Sequence, residues 1–404
     1  MRVLISAAEA SADLHAAHLV EALRRRVPGL EIAGIGGTHL EEQGLRPVAR
    51  AAELAVMGSA EILSRLSVIR RAEKDLIREA ARIRPDVAVL VDYPGFHFRV
   101  GPRLKALGIP VVYFIPPKVW VWRSSRLRVM REWVARVLCI LPFEPKIYED
   151  AGIRAEFVGS PLVEELPIRM SREEARAKLG ISPAERVLAV LPGSRDSEME
   201  RHWRPFLDAA RLFAEKSGES WTVLVPIAST LDFEHWRGEA ESWRRDSGTE
   251  SIGLRLVQDG SGELLRAADL GLIKSGTSTL EAAILECPMV VAYRPGRVTS
   301  LAVKHLLRYR GPVGLVNLFR GWKEGDALVA PEILHGEMTA PRLAAELHAL
   351  RGDAGRLAKM RRDLAGLREL VLSGQNGHGG PSDRAAEAVI AVVEEARGSA
   401  VASR

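Results

Sequence analysis

Short apolar runs alternate with longer amphipathic segments along the whole chain, and this alternation limits the fold more than any other feature. Helical patterns such as Ala16–Arg26, Ala60–Arg84 and Val100–Leu107 separate the runs. Strands that are separated by helices pair in parallel, with helices covering both faces of the sheet. The sequence therefore predicts an α/β protein with doubly wound, Rossmann-like sheets. The predicted strands are Val3–Ala7, Glu31–Ile35, Val87–Val91, Val111–Phe114, Val137–Leu141, Glu156–Val158, Val187–Leu191, Thr222–Val225, Gly253–Val257, Leu270–Ile273 and Met289–Ala292.

The length of the chain predicts two domains, because 404 residues exceed what one hydrophobic core usually covers. The strand pattern weakens at residues 159–167, and a helix with an N-terminal signature follows Ser171. We expect Rossmann-like domains at residues 1–165 and 166–380, and a C-terminal helix at 381–404 that packs back on the first domain. Ligands of such sheets bind beyond the carboxyl ends of the strands. The functional residues should therefore lie there, in a cleft between two facing domains.

Composition restricts the location and the partners of the protein. No apolar run approaches the ~20 residues that cross a bilayer, and the start of the chain enters a strand without the apolar core of a signal peptide. Cys139 and Cys287 lack metal-binding or redox spacing, which favours buried free thiols in the cytoplasm. A net charge of +5 favours an anionic partner, either a membrane or a phosphorylated substrate. Nucleic acid is disfavoured because no nucleic-acid-binding motif is present.

The first candidate site follows the predicted strand Val187–Leu191. Gly193 allows the backbone to approach a ligand, Ser194 offers a hydroxyl, and Arg195 offers a forked donor for phosphate oxygens. The alternative is an ordinary turn between a strand and a helix, with a surface arginine.

The second candidate site follows the predicted strand Leu270–Ile273. The start of a helix favours an anion, and hydroxyls such as those of Ser275 and Thr277 can extend such a site around Gly276. Glu281 is suited to accept hydrogen bonds from a ribose diol. The alternative is a capping box, in which Glu281 reaches back to the start of its own helix.

Carboxylates follow two predicted strands of the first domain. Asp92 ends a buried strand, where a partly dry pocket suits a general base; the alternative is a helix cap or a turn. Glu9, Ser11 and Asp13 follow the first strand, and they either line the cleft or cap the first helix.

Two tryptophans and a series of arginines follow the strand Val111–Phe114. Trp120 and Trp122 precede Arg126, Arg128 and Arg131, and this combination suits the interface between apolar lipid and anionic headgroups. The alternative is a buried tryptophan pair beside solvated basic faces. Further basic residues occupy the helical segment 62–84, namely Arg65, Arg70, Arg71, Lys74 and Arg78.

Together these segments resemble the lipid-A-disaccharide synthase family, in order from about Leu4 to Ala391. Any one motif is weak evidence, but their occurrence together, in the order of the family, is highly specific. The matching segments are Ala8–Asp13, Glu53–Gly58, Arg84–Asp86, Asp92–Pro94, Pro117–Arg123, Leu141–Glu144, Leu191–Arg195, Ser275–Thr277 with Glu281, and Cys287–Arg294.

The resemblance implies a GT-B fold and an inverting glycosyltransferase that needs neither metal nor cofactor. Its substrates would be UDP-2,3-diacylglucosamine and 2,3-diacylglucosamine 1-phosphate, joined with release of UDP. The resemblance implies peripheral association with the inner leaflet of the cytoplasmic membrane, and it leaves a homodimer open.

The resemblance also assigns roles to individual positions. Asp92 matches the catalytic base. The positions on the nucleotide side are Gly193, Ser194, Arg195, Ser275, Gly276, Thr277, Glu281 and Asn317. Apart from the resemblance, the negative charge of a leaving UDP favours Lys274 as a further cation. The positions on the acceptor and lipid side are Glu9, Ser11, Asp13, Met57, Gly58, Trp120 and Trp122.

Two kinds of alternative stay open because the chain departs from the family pattern. A GT-B transferase with another sugar or lipid acceptor is one, and an inactive paralogue that binds nucleotide or lipid is the other. A dinucleotide oxidoreductase ranks last, since Gly34–Gly37 does not complete the glycine fingerprint. The departures are Ala8, Ala12, Ala16, Gly95, His97, Ser160 and His335.

Overall fold

Two compact units make up the described part of the protein. A computed structural model describes residues 1–51, 62–117, 119, 125–248, 252–295, 311–319, 325–373 and 379–402. The first unit comprises Met1–Glu164 together with Ser373–Arg404, and the second comprises Glu165–Leu372. Each contains a parallel sheet between helices, so the predicted fold class of two Rossmann-like units with a helical C-terminus is confirmed.

The first unit has seven parallel strands in the order β3-β2-β1-β4-β5-β6-β7. The strands are β1 (Arg2–Ala7), β2 (Glu31–Gly36), β3 (Arg46–Arg50), β4 (Val87–Val91), β5 (Val111–Phe114), β6 (Arg136–Cys139) and β7 (Ala155–Phe157). The helices are α1 (Ala10–Arg26), α2 (Thr38–Glu42), α3 (Ile62–Ile83), α4 (Pro94–Ala106), α5 (Ser125–Arg131), α6 (Glu144–Glu149) and α7 (Leu162–Glu165, which ends at the boundary). A last helix of this unit, which we number α16, spans Pro381–Ala402.

The second unit has six parallel strands in the order β10-β9-β8-β11-β12-β13. The strands are β8 (Arg186–Leu191), β9 (Trp221–Ile227), β10 (Ile252–Gln258), β11 (Leu270–Lys274), β12 (Met289–Tyr293) and β13 (Glu332–Leu334). The helices are α8 (Arg172–Lys178), α9 (Asp196–Ser217), α10 (Phe233–Ser247), α11 (Ser261–Ala267), α12 (Ser278–Ile284), α13 (Leu315–Leu318), α14 (Ala340–Gly352) and α15 (Ala354–Ser373), with a 3₁₀ turn at His335–Glu337.

Burial explains why the central strands could be predicted from apolar runs in the sequence. All five side chains of β4 are fully buried, because helices cover both faces of a parallel sheet. One face packs against α1 and α16, and the other against α3, α4 and α5. Arg26 on α1 pairs with Asp383 on α16 at 2.6 Å, which adds an ionic contact to this apolar packing.

Several elements differ from the prediction at their ends. Helix α1 begins at Ala10 and α4 at Pro94, both earlier than the helical patterns indicate. Strands β3 and β13 were not predicted: β3 contains a proline and is partly exposed, and β13 has three residues. The predicted helix start at Ser171 is confirmed, with a reciprocal capping box to Glu174. Both cysteines are buried and free, as expected. None of the described helices is long and apolar enough to span a bilayer.

The strand order reverses once in each sheet, and this reversal positions the candidate site residues. Strand β1 lies between β2 and β4, and β8 lies between β9 and β11. Crossover connections leave such a point in opposite directions, so a crevice opens there at the carboxyl ends of the strands. Below, these two places are called the β1/β4 and β8/β11 switch points.

Candidate active site

Asp92 and Glu9 both leave the sheet at the β1/β4 switch point. Ala7 at the end of β1 pairs with Val91 at the end of β4, so the two following segments start side by side. Burial and the negative charge of Glu9 raise the pKa of the Tyr93 hydroxyl. The structure therefore brings together two of the acidic positions that the sequence selected.

The backbone of Asp92 has an unusual conformation that several contacts hold. Asp92 and Tyr93 have φ angles of +51° and +43°, in the left-handed region that non-glycine residues rarely adopt. The Asp92 amide donates to the carbonyl of Phe114 at 3.0 Å. The Asp92 carbonyl accepts from the hydroxyl of Tyr113 at 2.8 Å and from Nδ1 of His97 at 2.5 Å. Tyr93, not Asp92, stands at the N-cap of α4, so Asp92 is not the N-cap residue of this helix.

The other candidates of the first loop have different surroundings. Glu9 occupies the N-cap of α1 without a side-chain capping bond, and Ser11 is exposed. Asp13 is buried, and its carboxylate accepts from the amides of Gly37 at 2.6 Å and His39 at 3.0 Å. Asp13 therefore holds the turn after β2 against α1, and a contact of Asp13 with an acceptor stays a prediction.

Gly34 and Gly37 serve close packing in this unit. A Cβ at residue 34, where φ is +146°, would lie 1.9 Å from the carbonyl oxygen of Ile5, and one at residue 37 would lie 2.8 Å from Oδ2 of Asp13. These contacts account for glycine at both positions without a dinucleotide.

At the β8/β11 switch point, the first phosphate-suited loop wraps around Glu198. Gly193 has a φ of +152°, and a Cβ there would lie 2.5 Å from the Cβ of Glu198. The Ser194 amide donates to Oε2 of Glu198 at 3.3 Å. Arg195 is the N-cap of α9, and its half-exposed guanidinium lies 3.5 Å from Oε1 of Glu198. The loop is thus fixed by a carboxylate one turn into the following helix.

Glu198 joins this loop to the second one through Lys274. The ammonium of Lys274, at the end of β11, lies 2.6 Å from Oε1 of Glu198, and both side chains are largely buried. Burial acts to raise the pKa of Glu198, but Lys274, Arg195 and the Ser194 amide outweigh it and lower this pKa. Two cations and one carboxylate therefore meet at the switch point, with a formal net charge of +1.

His202 connects the same helix to β12. Its Nδ1 donates to the Glu198 carbonyl at 2.7 Å, and its Nε2 accepts from the Arg294 amide at 3.1 Å. The ring is buried and stacks on Tyr293. Burial lowers the pKa of His202 to about 4, so the ring is neutral at neutral pH.

The second loop runs from Ser275 to Glu281. Ser275 is buried and donates to the Val313 carbonyl at 3.0 Å. Gly276 has a φ of +157°, and a Cβ there would lie 3.2 Å from Nζ of Lys274. Thr277 is exposed and makes no side-chain capping bond, and Glu281 accepts from the Ser261 hydroxyl at 3.3 Å. The capping-box alternative is therefore wrong, while the ribose contact stays a prediction.

Asn317 belongs to a buried polar network behind these loops. Its amide nitrogen donates to the Ala330 carbonyl at 2.9 Å and to Oε1 of Glu332 at 2.7 Å, and its oxygen accepts from the Ala330 amide at 2.9 Å. Glu332 also accepts from the amides of Val313 and Gly314. Asn317 therefore fixes the segment whose Val313 carbonyl receives the Ser275 hydroxyl.

Four candidates lie outside the described residues: Met57, Gly58, Trp120 and Trp122. The neighbouring helices are described in part. On α3 and α5, Val68 and Val129 are about two-fifths exposed, and Arg70, Arg128 and Arg131 are exposed as well.

Sequence reasoning assigned no role to His97, Tyr113, Glu198 or His202. Glu198 lies three residues after Arg195 and His97 five after Asp92, so their positions about one turn after a motif residue could have revealed these two. In the described ranges, no group of three or more His, Cys, Asp or Glu side chains lies close enough to share a metal ion.

Comparison with known proteins identifies close relatives over nearly the whole chain. The model of a family described as lipid-A-disaccharide synthetase matches residues 3–373. A lipid-A-disaccharide synthase of Myxococcus xanthus (strain DK1622) is 40% identical over 397 residues, 98% of each protein. One of Anaeromyxobacter dehalogenans (strain 2CP-C) is 41% identical over 392 residues, 97% of each protein.

A solved structure with little sequence likeness shares the fold. A ugt transferase from Siraitia grosvenorii in complex with UDP matches with a TM-score of 0.61 at 13% identity, over 98% of this chain and 99% of that one. This likeness concerns the fold alone. Together with the two parallel sheets, it confirms the predicted GT-B fold class.

The two buried histidines make stability depend on pH. Burial lowers the pKa values of His97 and His202 to about 4, from 6.5. Below pH 6.5 the unfolded chain therefore takes up protons that the folded protein does not, and the fold loses stability until about pH 4. We expect the free energy of unfolding to fall by roughly 2 kcal/mol per histidine between pH 7 and pH 5.

Urea unfolding at pH 7 and pH 5 measures this loss. His202→Gln removes one titrating ring, so the difference between the two pH values should shrink by about half. The same difference in the variant and the unchanged protein would contradict the assignment.

Proposed function

The chain belongs to the lipid-A-disaccharide synthase family, and on this premise we propose which of its residues carry out the reaction. The enzyme transfers 2,3-diacylglucosamine from UDP to 2,3-diacylglucosamine 1-phosphate, with a β-1′,6 linkage and release of UDP. We propose that the first unit supplies the base and the second binds the diphosphate. One observation carries this proposal: the family's motif residues lie at the switch point of each sheet.

We propose that Asp92 is the general base. Its carboxylate takes the proton of the acceptor 6-hydroxyl while that oxygen attacks C1 of the donor sugar, from the face opposite UDP. The bond between C1 and the diphosphate oxygen breaks, its electron pair leaves with UDP, and the configuration at C1 inverts. We assign Glu9, which follows β1 at the same switch point, to contact with the acceptor sugar.

Arg195 and Lys274 are proposed to stabilise the leaving diphosphate. UDP departs with increasing negative charge, and fixed positive groups lower the energy of that state. Glu198 holds both cations before any ligand arrives and leaves a net charge of +1. We propose that this charge acts in place of a divalent metal ion, so that transfer needs no metal.

The remaining nucleotide-side residues are proposed to shape the site. Gly193 and Gly276 each have a positive φ, and a Cβ there would meet Glu198 or Lys274. We propose that these glycines allow the two loops to follow the course that surrounds the diphosphate. Glu281 accepts from the ribose hydroxyls in place of Ser261. The side-chain amide of Asn317 already makes hydrogen bonds within the fold, so we assign Asn317 to positioning the segment behind Ser275.

We propose that α3 and α5 contribute to contact with an anionic membrane surface. Both pack on the same face of the first sheet, because Leu76 of α3 and Met130 of α5 share one apolar core. Exposed valines and arginines on these helices suit the boundary between acyl chains and headgroups.

Asp92→Asn should abolish transfer while UDP binding persists. The amide has nearly the shape of the carboxylate but cannot take a proton, so we expect kcat to fall by roughly 10²–10⁴-fold. Mass spectrometry of the disaccharide product gives kcat, and calorimetric titration with UDP gives the affinity.

Asp86→Asn is the matched control for that variant. Asp86 precedes the first residue of β4, where it accepts from the Arg2 amide and pairs with Arg397, so its loss should leave kcat unchanged. Normal turnover of Asp92→Asn would disprove the proposed base.

Arg195→Gln should weaken UDP binding. Loss of a charge-assisted hydrogen bond to phosphate costs about 1.5–3 kcal/mol, which corresponds to roughly 10–100-fold in affinity. Arg204→Gln on the same helix is the control, because Arg204 pairs with Asp246 on α10. If both variants bind UDP equally well in calorimetric titration, Arg195 does not contact the diphosphate.

The double variant Arg128→Gln/Arg131→Gln should bind anionic vesicles less tightly. Each basic residue near a charged membrane contributes about 1 kcal/mol, so we expect roughly a 30-fold weaker partition coefficient. Arg237→Gln/Arg245→Gln on α10 makes the same charge change in the second unit. Equal binding of the two double variants in vesicle co-sedimentation would rule out α5 as a membrane contact.

A further inference from the structure

Two buried side chains hold the carbonyl group of the proposed base. The hydroxyl of Tyr113 and Nδ1 of His97 both donate to the carbonyl oxygen of Asp92, at 2.8 and 2.5 Å. Both rings are fully buried, and they pack edge to face with 5.8 Å between their centroids. This carbonyl group therefore has two fixed donors from two different elements, β5 and α4.

The peptide unit that these donors hold lies between two strained residues. Asp92 and Tyr93 both have positive φ angles, which non-glycine residues keep only where their surroundings hold them. Rotation of this peptide unit would break both hydrogen bonds to the carbonyl. The carbonyl carbon of Asp92 is one of the three backbone atoms that fix the direction of its Cα–Cβ bond, from which the carboxylate extends. The two donors therefore stabilise the one backbone conformation that sets this direction.

His97 also connects this carbonyl to β1. Its Nε2 lies 2.9 Å from Oγ of Ser6, a fully buried residue of β1. A carbonyl oxygen can only accept, so Nδ1 carries the proton and Nε2 accepts from Ser6. Burial lowers the pKa of His97 to about 4, so the ring keeps this neutral form at neutral pH. The ring thus ties the end of β4 to β1 across the switch point.

We propose that His97 is a positioning residue of the transfer reaction, which aims the carboxylate of Asp92 by fixing its backbone carbonyl together with Tyr113. This inference rests on the proposed role of Asp92 as the base. A residue that only aims the base affects the rate of transfer and leaves the binding of both substrates unchanged.

Two amide substitutions separate the two contacts of the ring. The side-chain nitrogen of Asn can occupy the position of Nδ1 of His97, so His97→Asn keeps the hydrogen bond to the Asp92 carbonyl and loses the one with Ser6. The side-chain amide of Gln ends near the position of Nε2, so His97→Gln keeps a hydrogen-bond partner for Ser6 and loses the donor to Asp92. We expect kcat to fall roughly 10–100-fold in His97→Gln and at most about threefold in His97→Asn, with KM unchanged for both substrates.

Val100→Ala is the matched control for stability. Val100 lies one turn further along α4 and is fully buried, so its truncation weakens the same core without a hydrogen bond to Asp92. Urea unfolding of each variant allows comparison at equal loss of stability. Unchanged kcat in His97→Gln, or an equal loss of kcat in Val100→Ala, overturns the proposal.

A second variant keeps the test decisive if His97→Gln does not fold. Tyr113→Phe removes the other donor to the same carbonyl, and an unchanged kcat in this variant also overturns the proposal. Asp92→Asn distinguishes an error in the proposed base from an error in the positioning role alone. If Asp92→Asn transfers sugar normally, the proposed base is wrong. If it is inactive while both His97→Gln and Tyr113→Phe keep full kcat, only the positioning role is wrong.

Discussion

The reversal of strand order within each parallel sheet is the constraint on which the rest of the structure depends. Strands such as β4 are buried on both faces and leave no room for charged groups inside the sheet. The ends of the strands beside the reversal are the places where polar side chains can converge. Strands β4 and β11 are each the fourth strand of their sheet in chain order, and Asp92 directly follows β4 while Lys274 ends β11. Equivalent strand ends therefore carry a negative charge in the first unit and a positive charge in the second.

The two switch points organise their polar groups in different ways. In the second unit a buried carboxylate, Glu198, gathers two cations and an amide, and the pairing compensates the cost of burying its charge. In the first unit the neutral groups of His97 and Tyr113 hold the backbone of Asp92. Ionic partners fix where positive charge stands before an anion binds. Neutral donors fix a carboxylate without adding a cation, which would lower its basicity.

The sequence predicted what depends on local pattern and failed where distant residues meet. Apolar runs revealed the buried strands, but not β3, which contains a proline, or the three-residue β13. The motif around Thr277 was also compatible with a capping box. Only the fold shows that Glu281 accepts a hydrogen bond from Ser261, 20 residues away in the chain. The partners of His97 and Glu198 include Ser6 and Lys274, at separations of 91 and 76 residues. No periodicity or spacing encodes contacts of this kind, because they depend on which strands become neighbours.

The C-terminal helix α16 has a consequence for the order in which the protein can fold during synthesis. Residues 165–372 form a continuous unit that is complete before α16 leaves the ribosome. The first unit starts earlier but ends later, since α16 packs on α1 in one apolar core that includes Ala16, Leu19, Ala386 and Val389. Until then that side of α1 stays exposed on the nascent chain. The first unit therefore completes its core only after the whole second unit has been synthesised, and a chaperone would need to protect it during that interval.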